Sequence, residues 1–175
     1  LRLLEEEHGG WPRIGLVWIE NTLGLPGGVV WEQSSVDAIG KLAAEADRPV
    51  HLDGARLWNA HVATQLPLAK LAQPATTVSL SLSKGLGCPA GSILAGPAEF
   101  IERTRQTRHA FGGSMRQSGI LAAAGLWALD QQIDRIADDH ARARRLAGRL
   151  DELSVWSANT PQSNIVLLEP SDPEV

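Results

Sequence analysis

The sequence predicts an α/β fold built on a mostly parallel sheet flanked by helices. Two observations predict it. Short apolar runs, each closed by a polar loop, alternate with longer stretches of helical periodicity. Gly and Pro punctuate the chain at almost every change of period. The last part is helix-rich with two short strands, which marks a second unit. Residues 1–130 read as part of a large domain, and 131–175 as a connecting helix with the incomplete start of a small C-terminal α/β domain.

The elements follow in order. Leu1, Leu3 and Leu4, then three Glu and Gly9-Gly10, read as the tail of a helix. Ile14–Ile19 is a buried strand ending in Glu20-Asn21-Thr22. The loop Gly24–Gly28 turns on its Pro and its glycines. Ser34 and Ser35 are candidate caps for a helix with Val36, Ile39, Leu42, Ala43 and Ala46 on one face. Pro49 ends it, and Val50–Asp53 is a strand.

Ala55 to about Leu66 is helical, with a short helix at Leu68–Ala72 after it. Thr76–Leu82 and Ser92–Ala95 are strands, and Pro97 opens a helix over 97–109. Gly112-Gly113 breaks that helix. Helices over about 116–130 and 133–152 follow, then short strands at Val155–Trp156 and Asn164–Leu168. The Arg-rich stretch 135–149 reads as a solvated helix face.

Composition excludes several classes. Apolar residues at 43% and charged residues at 21% are ordinary globular values, so whole-chain disorder is excluded. A net charge of −4 offers no basic field for nucleic acid. The single Cys88 excludes an intrachain disulfide and a Cys-rich zinc site, and fits a reducing, cytoplasmic setting. The longest apolar run, Ile120–Leu129, is far short of the roughly 20 residues of a membrane span. No secretory signal pattern opens the chain. A first residue that is not Met, and an end just after an apolar run, suggest a fragment of a longer protein.

In such sheets ligands bind beyond the carboxyl ends of the strands. Three strand ends carry polar groups there: Glu20-Asn21-Thr22, Asp53-Gly54-Ala55-Arg56 and Ser83-Lys84-Gly85. Lys84, after an apolar strand, reads as a partly buried amine that can lose its charge and form an imine with a carbonyl. Asp53 ends the preceding strand, one helical crossover earlier. Its carboxylate suits a pyridine nitrogen held protonated, and an imine lysine with an acid partner is what a pyridoxal ring needs. Capping the next helix is a second role open to Asp53. Arg56 offers a planar fork for a carboxylate, or a surface salt bridge.

HLDGAR at 51–56, SLSKGLG at 81–87 with CPAGS at 88–92, GGSMRQSG at 112–119 and ENTLGLPGGVV at 20–30 resemble the threonine aldolases. These are fold-type-I, pyridoxal-phosphate-dependent enzymes akin to the β-eliminating lyases. The resemblance runs along nearly the whole chain. It implies that pyridoxal 5'-phosphate is bound covalently by Lys84, with Asp53 at the ring nitrogen and Thr22, beside Asn21, and Ser83 near the cofactor. It implies that Arg56 contacts the substrate carboxylate, the cofactor or both, and that Gly112-Gly113 approaches a phosphate. The implied reaction cleaves threonine or allo-threonine to glycine and an aldehyde, in a homodimer or homotetramer. The family's phosphate loop, ring-stacking His and proton-abstracting group would then precede Leu1, and a second carboxylate-binding Arg would follow Val175. The isolated chain is accordingly expected to be inactive. His109 stands where many members carry Lys.

Other readings compete. A related β-eliminating lyase acting on an aromatic or sulfur amino acid shares the same machinery. His51, Asp53 and His61 are the elements of a metallohydrolase site, though no second spaced His pair supports it. His51 otherwise reads as a satisfied core histidine, and His8 and His140 as solvent-facing.

Overall fold

The structure is a computed structural model that describes residues 13–153 and 155–171. Three strands run parallel: β1 (Val17–Glu20), β2 (Val50–Gly54) and β3 (Thr77–Ser81). A fourth, β4 (Ser92–Ala95), closes the edge antiparallel to β3. The order is β1-β2-β3-β4. Helix α1 (Gln33–Glu45) connects β1 to β2, and α2 (Leu57–Thr64) with α3 (Leu68–Ala72) connects β2 to β3. Such crossovers are what parallel neighbours require. After β4 come α4 (Ala98–Ala110), α5 (Gly119–Gln131) and α6 (Ile136–Asp151). The strands β5 (Trp156–Ala158) and β6 (Leu168–Pro170) form a separate antiparallel pair. The mostly parallel α/β expectation holds.

Strand alternation sorts the sheet into two faces. Ile19, Val50 and Leu52 pack against Val36, Ala43, Leu57, Ala60 and Leu71 from the helices. The other face carries Trp18, Glu20, His51, Asp53 and Thr77. Trp18 is 64% exposed there and meets the His51 ring edge-on at 4.7 Å. A second core of Trp58, Leu82, Leu86, Cys88, Ala128 and Ile136 lies under the turn that follows β3.

Several expectations need correction. Helix α1 is entered through Glu32, with no side-chain cap, and Ser34 and Ser35 are exposed in its first turn. Trp31 donates its indole N–H to the Glu20 carbonyl at 3.0 Å and brings the chain into the helix. Val36, Ile39, Ala43 and Ala46 keep the helical period toward the core, and Leu42 falls off that stripe and is exposed. Helix α2 starts at Leu57 rather than Ala55, because Asp53 Oδ1 takes the Ala55 N–H at 3.0 Å in a turn that competes with helix. It stops at Gln65, which is left-handed at φ 59°. Pro97 precedes α4 with an extended ψ instead of opening it. The last strands are displaced to Trp156–Ala158 and Leu168–Pro170, and Asn164 lies before the second of them, its Oδ1 accepting from Asn59 Nδ2. The helix tail expected at 1–8, His8 included, lies outside the described residues.

Candidate active site

The parallel register brings the three polar strand ends to one edge. Glu20 stands beside Asp53, and Asp53 beside Ser79. The Asn21 N–H donates to the Asp53 carbonyl at 3.0 Å, carrying the β1–β2 pairing one residue further. Thr22 is fully buried, and its Oγ1 has no hydrogen-bond partner among the described residues; neither has Asn21 Oδ1. A hydroxyl left this way is costly, so it marks a place where a further group is wanted.

Asp53 is half-buried. Among the described residues its one side-chain bond is the one to Ala55, and no basic group pairs with it. Arg56, three residues on, turns to Glu20 instead, with Nη1 at 3.6 Å from Oε1. The same Oε1 accepts the Gly24 N–H at 3.1 Å. A Cβ at Gly24 would lie 2.9 Å from Arg56 Nη1, so a glycine there leaves the guanidinium its space. The salt-bridge reading of Arg56 is therefore realised. It is compatible with ligand binding, because only one nitrogen of the fork faces Glu20 and the side chain remains a quarter exposed.

Lys84 sits in a tight turn. Leu82 N–H donates to Gly91, Cys88 N–H to Leu82 and Gly87 N–H to Lys84, at 2.9–3.0 Å. The sequence suggested a partly buried amine, but Lys84 is exposed, as is Ser83. Leu82, Leu86 and Cys88 take the buried positions, and the residues at the tip of the turn face outward. Ser83 Oγ lies 3.5 Å from Ser81 Oγ. Lys84 and Asp53 thus follow adjacent parallel strands at the same edge, with Arg56 just beyond Asp53. A primary amine, an unpaired carboxylate and a guanidinium so arranged suit a ligand carrying an electrophilic carbon, a protonatable ring and a carboxylate.

The histidines stand apart from this set. His51 Nδ1 is 2.8 Å from Thr77 Oγ1, as a satisfied histidine should be. His61 Nδ1 donates to the Leu66 carbonyl at 2.6 Å. No group of three His, Cys, Asp or Glu gathers around a metal-sized site among the described residues, so His51, Asp53 and His61 are not brought together as a ligand set. His109 and Gly112-Gly113 lie on the exposed turn after α4, with His109 Nδ1 3.1 Å from Ser114 Oγ. A groove of about 610 Å³ opens on the Trp18–His51 face toward the amino ends of the strands, away from the Lys84 turn.

His140 is a correction. It is 3% exposed rather than solvent-facing, and Asn59 Nδ2 lies 3.1 Å from its Nε2. Burial, and next the Arg144 charge, hold its pKa below the ordinary imidazole value, against an opposing pull from Asp139. Sequence reasoning passed over Asn59 altogether. The available signal was an amide inside the apolar string Leu57-Trp58-Asn59-Ala60, which has to find partners if that helix is buried.

The family model described as beta-eliminating lyase matches residues 2–172. The chain is 39% identical over 166 residues to the "Probable low-specificity L-threonine aldolase 2" of Arabidopsis thaliana, covering 93% of this chain and 47% of that protein. It is 39% identical over 140 residues to the low specificity L-threonine aldolase of Escherichia coli strain K12, covering 80% and 41%. Among solved structures, one from Exiguobacterium sp. 255-15, provisionally named an aromatic amino acid beta-eliminating lyase/threonine aldolase, superposes with a TM-score of 0.82 at 28% identity, over 91% of this chain and 46% of that one. The chain spans less than half the length of these curated relatives.

Proposed function

This chain belongs to the beta-eliminating lyase family, and from that premise we propose that the whole protein is a pyridoxal-phosphate-dependent lyase cleaving β-hydroxy-α-amino acids, of the threonine or allo-threonine class, to glycine and an aldehyde. The observation that carries the reading is the pairing of an unpaired carboxylate, Asp53, with the Lys84 turn at one edge of a parallel sheet. The relatives named L-threonine aldolases point to the same substrate class.

The donor set fits the cofactor. An accessible amine, a carboxylate with no basic partner among the described residues and a buried hydroxyl with no bond among them are what its carbonyl, ring nitrogen and polar substituents call for. Lys84 would hold the carbonyl carbon covalently until the substrate amine displaces it. Asp53 would keep a proton on the ring nitrogen, since an opposite charge favours the cationic form. Thr22 and Ser83 complete the cofactor side. Arg56 would take the substrate carboxylate on the nitrogens that Glu20 leaves free, orienting the bond to be broken. Bound there, the cofactor supplies the electron sink for cleavage between Cα and Cβ. In the same reading, 1–130 is part of the large cofactor-binding domain and 131–175 begins the small one, and the enzyme is a cytoplasmic homodimer or homotetramer.

The test is purified whole protein loaded with pyridoxal phosphate and assayed for acetaldehyde and glycine from threonine. Borohydride should fix the cofactor to Lys84, and Lys84→Ala should abolish that attachment and the aldehyde. The family description favours one second reading, β-elimination from an aromatic or sulfur amino acid. Pyruvate and ammonia from such substrates, with no aldehyde from threonine, would select it.

A further inference from the structure

We propose that the polar cluster of buried Asn59 and His140, joined at its exposed edge by Asn164, positions the Lys84 turn, making Asn59 and His140 positioning residues for the reaction above, on whose assignment of Lys84 this inference rests.

Asn59 is 1% exposed in the first turn of α2, with Leu57, Trp58 and Ala60 buried around it. An amide in such a place is costly unless its donors are used. Asn59 uses both: Nδ2 donates to Asn164 Oδ1 and to His140 Nε2, each at 3.1 Å. Accepting that bond requires Nε2 to be unprotonated, so His140 serves as the neutral imidazole with its proton on Nδ1. The buried setting beside Arg144 favours that neutral form.

The remaining oxygen of Asn59 turns to the residue after Lys84. A Cβ built on Gly85 would lie 3.3 Å from Asn59 Oδ1 and 3.3 Å from Ile136 Cδ1. Gly85 therefore rests on a floor made by Asn59 and Ile136, and Ile136 is one helical turn before His140 on α6. Asn59 is also three residues after Arg56, on the helix that follows Asp53. One cluster thus fixes the Lys84 turn against α2, which Arg56 caps and which follows the strand carrying Asp53. Small displacements of such groups are expensive, since roughly 1 Å of misplacement costs on the order of 10²-fold in rate.

The experiment uses the whole protein with pyridoxal phosphate and four variants: Asn59→Asp, His140→Leu, His140→Gln and Gly85→Ala. Two quantities are read: the rate of borohydride-trappable attachment at Lys84, by mass spectrometry, and hydrogen exchange at the Gly87 and Cys88 amides that close the turn. Asn59→Asp and His140→Leu should slow attachment roughly tenfold or more and speed that exchange. His140→Gln supplies a carbonyl acceptor for the Asn59 proton and should restore both, which a role in packing alone would not predict. Gly85→Ala leaves the cluster intact but presses on its floor. It should slow attachment while the circular dichroism stays native, and it decides the matter if His140→Leu does not fold. Unchanged attachment and exchange in Gly85→Ala, or His140→Gln behaving no better than His140→Leu, would overturn the proposal. Attachment at a lysine other than Lys84 would refute the assignment of Lys84 instead, and the exchange measurement, which needs no cofactor, would still judge the cluster.

Discussion

Asp53→Asn separates chemistry from folding. The native side chain makes one bond, from Oδ1 to the Ala55 N–H at 3.0 Å, and no ion pair among the described residues. Asparagine keeps a carbonyl oxygen for that bond, so the fold should lose less than about 1 kcal/mol. What disappears is the charge. Two opposite charges roughly 4 Å apart, in a half-buried site of effective dielectric near 20, attract by about 4 kcal/mol. A loss approaching that size in the transition state is on the order of 10²–10³-fold in rate. Threonine cleavage by wild type and variant, measured as acetaldehyde released at saturating cofactor beside a denaturation curve, reads both numbers. Lys84 should still be modified by borohydride in the variant. Turnover within a few-fold of wild type would refute the assignment of Asp53 to the ring nitrogen.

Three further outcomes follow from the same geometry. His140 is held neutral in the fold, so the unfolded chain takes up its proton first: stability should be full above about pH 6.5 and fall below it. Denaturation midpoints between pH 5 and 8 measure this, and His140→Gln should flatten that part of the profile. Leu86→Ala removes a side chain 1% exposed in the core beneath the Lys84 turn; it should cost about 2–5 kcal/mol in chemical denaturation. Gly24→Ala places a methyl 2.9 Å from Arg56 Nη1, the far end of a flexible side chain. It should leave the melting temperature nearly unchanged and raise KM for threonine several-fold more than it lowers kcat, because what it displaces is the Arg56–Glu20 pair, with Glu20 Oε1 3.2 Å from the same methyl.

What the sequence discloses here is what is local. Val50–Asp53 and Ser92–Ala95 read directly as strands because alternation and flanking turns sit within a few residues, and the strand ends bearing Asp53, Arg56 and Lys84 meet at one edge because parallel crossovers leave little choice. The misjudged residues are those decided by distant partners. Lys84 is exposed because Leu82 and Leu86 compete for the core contributed by Trp58, Ala128 and Ile136. His140 looked like part of a charged helix face, with Asp138, Asp139 and Arg142 around it. It is buried because it shares the inward face of α6 with Ile136, Ala143 and Ala147, where it meets Asn59, 81 residues earlier in the chain. A single charged helix cannot announce which of its polar residues meets a partner of that kind. The announcement lies in the partner, an asparagine among apolar neighbours whose two amide protons have to be satisfied somewhere. Polar residues at apolar positions are therefore the place to look, in this sequence, for the contacts that hold the site in register.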